Sequence, residues 1–285
     1  MIVVTGASGH LGRLVIAELL ARGVPADGIV AAVRTPGKAA DLDLGVPVRE
    51  ADYDRPETLA TAFAGASKVL LISGNEFGKR VAQHTNAINA AKAAGVPFLA
   101  YTSILKADTT GIGIAHDHRE TERLIRESGL AYTFLRNSWY TENYTDNLGP
   151  ALATGAIIGS AGDGRVAATT RADYAAAAAA VLAGDGHQNR VYELGSDTPF
   201  TMAELAAEVS LQAGTPVSYQ DLPAGEYVKA LTGFGLDEGY AGALADADLG
   251  IQRGELATDS GDLSRLIGRP TASLADAVAA GLKTQ

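Results

Sequence analysis

Three glycines near the start of the chain, Gly6, Gly9 and Gly12, stand at a three-residue spacing that lets a backbone wrap an anionic ligand. They belong to the run Thr5-Gly6-Ala7-Ser8-Gly9-His10-Leu11-Gly12, which follows a β-branched stretch from Ile2 and leads into an amphipathic segment, Leu11 to Ala21. Strand, glycine turn and helix in that order are what dinucleotide binding requires. Gly6 permits the tight turn, Gly9 removes a side chain where the pyrophosphate approaches, and Gly12 lets the helix pack closely on the sheet. The free N–H groups and positive dipole end of the helix hold the phosphates without a lysine. Arg34 follows the second apolar run, at the place where a carboxylate would accept from the ribose 2′-OH and repel a 2′-phosphate. Its guanidinium can take that phosphate as a bidentate pair, and Lys38 can add charge from the next turn. The pattern predicts NADP(H) rather than NAD. Asp52, just past the third apolar run, either accepts from the adenine amino group or serves as a helix-capping or solvated carboxylate.

These residues need a scaffold, and the first half of the chain supplies its pattern. Short apolar runs at Ile2 to Thr5, Ile29 to Val33, Val46 to Arg49, Val69 to Ile72, Phe98 to Thr102 and Tyr132 to Leu135 alternate with longer amphipathic segments. One predicted helix runs from the region of Asp54-Arg55-Pro56-Glu57 to about Ala64, with Asp54 as cap and Glu57 closing a capping box. Another spans Gly78 to Ala94, with Val81, Ile88 and Ala91 on one stripe. The alternation predicts an α/β chain built as a Rossmann, doubly wound parallel sheet. Residues 151–285 read as a smaller C-terminal substrate-side lobe beside an NADP-binding domain of residues 1–150, with segments able to return to the Rossmann core. In that stretch Gly155 to Gly164 reads as a hairpin or loop. Helices are expected at the alanine-rich Tyr174 to Gly184, Thr201 to Ala213, Ala224 to Thr232 and Leu274 to Leu282, and short strands at Val191 to Leu194 and Val217 to Tyr219.

Composition narrows the partners. The formal net charge of −10, with no basic run, argues against a nucleic-acid surface. Absence of cysteine removes disulfides, thiolate nucleophiles and Cys-ligated zinc. No apolar stretch reaches the roughly 20 residues that span a bilayer, and the first residues lack an export signal. A cytoplasmic protein without membrane insertion, monomeric or homodimeric, is expected.

Ligands of such sheets sit at the carboxyl ends of the strands, in the loops that start at Ser73, Ser103 and Asn137. The tyrosine and lysine four positions apart that a short-chain dehydrogenase uses for proton transfer are missing, since none of the ten tyrosines has that partner. His116 and His118 lack a third ligand, so no metal is expected. His84 reads as a surface or partly packed helix position.

The segments Ala32-Val33-Arg34, Ala100-Tyr101-Thr102-Ser103, His118-Arg119-Glu120-Thr121-Glu122, Leu135 to Tyr144 and Thr170-Arg171-Ala172-Asp173-Tyr174, with the glycine run, carry a resemblance. The chain resembles the atypical short-chain dehydrogenases, a group that includes NmrA-like proteins, triphenylmethane reductase and isoflavone reductase relatives. Within them it is similar over essentially its whole length to the bacterial NAD(P)H:quinone oxidoreductases of the second type. That resemblance implies a flavin-free enzyme that prefers NADPH and passes hydride to a small-molecule quinone. It implies that Gly6 to Gly12 and Arg34 hold the adenosine diphosphate half, and that Ser73, Gly74 and Asn75 pass the centre of the cofactor. Thr102, Ser103 and Asn137 complete the cofactor contacts. Asn137 to Tyr144 would flank the nicotinamide and the acceptor, Asn137 and Asn143 holding amide or quinone oxygens while Trp139 and Tyr140 offer flat faces. Asn137, Tyr140 and His118 are the candidates for the reaction itself. His118 stands where some reductase relatives place a lysine; it can give a proton to the quinol oxygen, or the proton can come from water. A cofactor-binding redox sensor without turnover, or a reductase of another planar acceptor such as a dye, are the alternatives.

Overall fold

The computed structural model describes residues 1–40, 43, 45–76 and 78–284. The first half alternates strand and helix: β1 (Ile2–Val4), α1 (His10–Ala21), β2 (Ile29–Val33), α2 (Pro36–Ala40), β3 (Val48–Glu50), α3 (Pro56–Phe63), β4 (Lys68–Leu71), α4 (Arg80–Ala93), β5 (Phe98–Ile104), α5 (Ala115–Ser128) and β6 (Ala131–Asn137). Two short helices, α6 (Glu142–Thr145) and α7 (Gly149–Thr154), lead to β7 (Ala156–Gly159), α8 (Arg171–Ala183) and β8 (Arg190–Leu194). The rest comprises α9 (Met202–Ala213), β9 (Ser218–Asp221), α10 (Ala224–Gly233), α11 (Glu238–Gln252), α12 (Asp262–Ile267) and α13 (Leu274–Leu282).

Seven strands form one parallel sheet in the order β3-β2-β1-β4-β5-β6-β8. The chain winds one way from β1 to β3 and the other from β4 onward, so a crevice opens beyond the carboxyl ends of β1 and β4. Val3 pairs in register with Val30 on one side and Val69 on the other, and all three are excluded from solvent. Each such side chain contributes about 1.5–3 kcal/mol of transfer free energy, which is why these runs are apolar on both faces. One core lies under α1 and α8 and the other under α3, α4 and α5. In α8 the run Ala175 to Ala179 is buried throughout, so the helix lies close along α1, with Arg22 of α1's C-cap donating to the Ala176 carbonyl at 3.2 Å. A third core beneath α9, α11 and α13 is shared by the C-terminal stretch with Ile104 at the end of β5 and with Leu105, Ile112 and Ala115 beyond it.

Several sequence expectations are corrected. The third strand is Val48–Glu50 rather than Val46 to Arg49, and the strand after Val217 begins at Ser218. The glycine-rich Gly155 to Gly164 segment is no hairpin: Gly155, at φ 72°, ends α7, and β7 then pairs in parallel with the distant β9. The strand at 190–194 joins the large sheet beside β6, Phe134 facing Val191. Asp54 does not cap α3; Arg55 occupies the cap position with no side-chain bond to the helix's N–H groups, Asp54 accepts from Gln83, and Glu57 accepts from the Arg55 guanidinium. The sequence pattern sets no bounds for α5, the crossover between β5 and β6, and gives no helix at α11 or α12. His84 is fully buried rather than surface or partly packed.

Candidate functional site

The turn after β1 is shaped by two glycines whose freedom it requires. Gly6 sits at φ 57°, and a Cβ on Gly12 would lie 2.5 Å from the Gly6 carbonyl and 2.7 Å from the Ala7 Cα. Helix α1 therefore presses directly on the turn, and only a hydrogen fits between them. Gly9 caps α1 with no side chain, so the first-turn N–H groups of the helix are left to a ligand. They face a cavity of about 470 Å³, lined by Gly6, Ser8, Gly9, His10, Leu11 and Gly12. Ala7 lies behind this wall, buried, its N–H on the Ala32 carbonyl.

Arg34, Asp52, Ser73, Gly74 and Asn75 line the same cavity, together with Tyr53, Glu76 and Gln83, which sequence reasoning missed. Arg34 is largely exposed and pairs with Glu76 at 3.0 Å. Lys38 is exposed on α2 and is not among the lining residues. Asp52 turns its Oδ1 back to the N–H of Asp54 at 3.0 Å.

The loop from Ser73 to Asn75 is held by side chains of neighbouring elements. The Gly74 N–H donates to His84 Nε2 at 3.0 Å, which leaves Nδ1 protonated and donating to Thr121 at 2.9 Å; Thr121 in turn donates to the Asp117 carbonyl. Arg80 Nε donates to the Gly74 carbonyl at 2.6 Å. The Ser73 N–H donates to Thr102 at 2.8 Å. Burial, with the nearby Arg80 charge, holds the His84 imidazolium off down to a pKa of about 3, so the ring is a neutral acceptor for Gly74.

A second cavity of about 520 Å³ opens across this loop and shares Ser73, Asn75, Tyr140 and Arg171 with the first. Asn137, the last residue of β6, is fixed between β5 and β8: its carbonyl accepts from Leu105 at 2.9 Å, and the next N–H, of Ser138, donates to Leu194 at 2.8 Å. Its side-chain Oδ1 is buried without a partner. Trp139, Tyr140, Asn143, Thr102, Ser103 and His118 line the cavity as well. Tyr140 stacks edge-on against Tyr174 at 5.4 Å, and burial raises its hydroxyl pKa. His118 is buried, with Nδ1 2.8 Å from the Tyr101 hydroxyl, and burial beside Arg80 and His84 holds its pKa well below the ordinary value. His116, by contrast, is exposed, so the two imidazoles do not converge. Among the described residues no cluster of three potential ligands could hold a metal, and no helix is long and apolar enough to cross a membrane.

Behind the wall lies a buried ion pair. Arg136 binds Glu122 through Nε at 2.9 Å and Nη2 at 2.8 Å, and Ser103 donates to the same carboxylate at 2.7 Å. The hydroxyl of Ser103 therefore offers the cavity an acceptor rather than a donor. Arg171 and the α11 residues Tyr240, Ala243 and Leu244 were missed as lining groups, although Arg171 stood inside the segment Thr170 to Tyr174.

A doubly wound sheet with a glycine cradle at its switch point defines a dinucleotide-binding protein of the Rossmann class. More narrowly, residues 6–185 match the NAD(P)H-binding family model, and the chain belongs to that family. It is 52% identical to quinone oxidoreductase 2 of Escherichia coli strain K12, over 98% of this chain and 97% of that one. The crystal structure of an E. coli NADPH-dependent quinone oxidoreductase complexed with NADPH superposes with a TM-score of 0.95, at 51% identity, covering 98% of this chain and 99% of that one. Triphenylmethane reductase of Citrobacter sp., complexed with NADP(H), gives 0.94 at 42% identity, covering 99% of this chain and all of that one.

Proposed function

We propose that this chain is an NADPH-dependent reductase that delivers hydride to a quinone. The observation that carries this reading is the pair of cavities with a shared wall: a glycine cradle at a helix N-terminus on one side and an amide-and-aromatic pocket on the other, meeting at Ser73, Asn75, Tyr140 and Arg171. The residues present fit the cofactor. Free N–H groups of α1 suit its pyrophosphate, Arg34 suits a 2′-phosphate once Glu76 releases it, and the unpartnered Asn137 Oδ1 suits the N–H of a carboxamide. In this reading residues 1–150 supply most of the cofactor site, and the 151–285 stretch adds Arg171 to the shared wall and α11 to the acceptor side.

When bound, the cofactor supplies a hydride, so that NADPH, a proton and quinone become NADP⁺ and quinol. The protein's own part is orientation. Asn137 is fixed by two strands, and the Ser73 to Asn75 loop is fixed by His84, Arg80 and Thr102, so both walls meet the reactants preorganised. Trp139 and Tyr140 give a flat ring surfaces to lie on. His118 acts as a neutral hydrogen-bonding imidazole rather than as an imidazolium acid, because it is buried beside Arg80, and the proton that completes quinol comes from water. The missing tyrosine and lysine pair is no obstacle to such a reaction.

The test is turnover of NADPH by purified protein against a panel of quinones and a triphenylmethane dye. Rapid cofactor oxidation with quinones is expected. Tight NADPH binding with no turnover on any acceptor would overturn the reading in favour of a sensor.

A further inference from the structure

The acceptor-side cavity is charged unlike the molecule around it. The chain carries a formal net charge of −10, and Asp52 and Glu76 stand in the wall of the cofactor cavity. Among the described residues no aspartate or glutamate lines the second cavity, whose charged residues are Arg80 and Arg171.

The two guanidiniums are held differently. Arg80 is buried and committed to the protein, donating to the Gly74 carbonyl at 2.6 Å and facing Asp117 at 3.5 Å. Arg171 has a side chain 17% exposed, and its anionic partner Asp146, at 2.9 Å, is 58% exposed. The solvent-facing Asp146 end screens the pair in part, so the carboxylate can turn away from the guanidinium while Arg171 stays in the wall. The rest of Arg171 is anchored: its backbone N–H donates to Glu142 at 2.8 Å, its guanidinium lies 5.3 Å from the centre of the Tyr140 ring, and Nη2 reaches Asn143 at 3.4 Å. A planar fork of donors thus stands beside a flat aromatic face on the wall common to both cavities. That combination matches an aromatic ring carrying a planar or tetrahedral oxyanion.

We propose that the acceptor cavity takes aromatic acceptors bearing a carboxylate or sulfonate, and that Arg171 is the residue that selects them. This rests on the quinone-reductase reading for turnover, while binding at the same pocket can be tested without it. Arg171→Met, Arg171→Lys and Asp146→Asn are compared with the unmodified protein on two quinones of one ring system, 1,4-naphthoquinone and its 2-sulfonate. Arg171→Met should lower kcat/KM for the sulfonate about tenfold more than for the neutral quinone, the size of one charge-assisted hydrogen bond, whatever loss the two quinones share. Arg171→Lys should fall between, keeping charge without the fork, and Asp146→Asn should raise the sulfonate preference by freeing the guanidinium. Naphthalene-2-sulfonate titrated calorimetrically into protein saturated with NADP⁺ should bind about tenfold more weakly to Arg171→Met. Equal losses on both quinones with a raised Kd for NADPH would make Arg171 a cofactor clamp and overturn the proposal. An unchanged naphthalenesulfonate affinity would overturn it too. If neither quinone is reduced by the unmodified protein the reductase reading fails, and the titration alone then decides the anion site, weakening supporting it and no change refuting it.

Discussion

His84 makes acid stability a direct readout of the loop that joins the two cavities. Its ring is buried and neutral, accepting from Gly74 and donating to Thr121. Its folded pKa is depressed from 6.5 to about 3, so between those values the unfolded chain binds a proton that the folded chain does not. Stability from this group is therefore whole above pH 6.5 and is lost as pH falls toward 3. At pH 5 the loss is about 1.4 kcal/mol for each of the 1.5 pH units below 6.5, or about 2 kcal/mol. With an unfolding entropy near 2 cal/mol/K per residue over this chain, that lowers Tm by about 3 °C relative to pH 7.5. Buried His118, shifted the same way, adds to the loss. The assay is Tm against pH for the unmodified protein and for His84→Gln, whose carbonyl can still accept from Gly74 but whose side chain does not titrate. Carboxylates contribute equally to both curves, so the variant should show the shallower acid limb by about 3 °C at pH 5 whatever its absolute Tm. Parallel curves would refute the neutral buried imidazole.

Other consequences are as open to measurement. Gly12→Ala pushes a methyl into the Gly6 carbonyl and the Ala7 Cα; it should cost about 1–3 kcal/mol in thermal unfolding and abolish NADPH binding followed by fluorescence. Arg34→Glu should reverse the preference for NADPH over NADH in steady-state kinetics, and an unchanged preference would remove Arg34 from recognition of the 2′-phosphate. Arg136→Met leaves the buried Glu122 carboxylate with only Ser103 and the longer pair to Arg126 at 3.3 Å and should cost about 2–4 kcal/mol by denaturant unfolding, with the Arg136→Met, Glu122→Leu double variant recovering much of the loss. Arg123→Ala, on an exposed pair, should change stability by less than about 0.5 kcal/mol.

How much of this could be read from the chain alone follows from where the information lies. Strands β1, β2, β4, β5 and β6 are buried on both faces or nearly so, and short apolar runs announce that directly. The glycine cradle is local, so spacing sufficed. Helix α5 could be expected only as the crossover between β5 and β6, without bounds, because its buried side includes His118, Thr121 and Glu122, polar groups that serve a network. Helix α11 packs through alanines, glycine and Asp248 and gives almost no hydrophobic period. The partner of β8 is set by a pairing some 57 residues apart in sequence, from Phe134 to Val191, which no local pattern encodes. His84 is buried because a loop ten residues before it needs an acceptor, and Arg171 reaches both cavities because α8 starts beside the end of β6. The motif that contained Arg171 was visible; its position was not.

The alanines from Ala175 to Ala179 are buried all round α8, so the helix packs close to α1 on one side and to the sheet on another. Both ends of this arrangement touch the working site: α1 starts at the phosphate cradle and α8 starts at Arg171. A side chain larger than alanine anywhere along the contact must tilt one helix against the other, and the tilt is largest at their tips. Ligand affinity therefore becomes a gauge of core packing, and substitutions far from either cavity can register as changed cofactor binding before they register as lost stability.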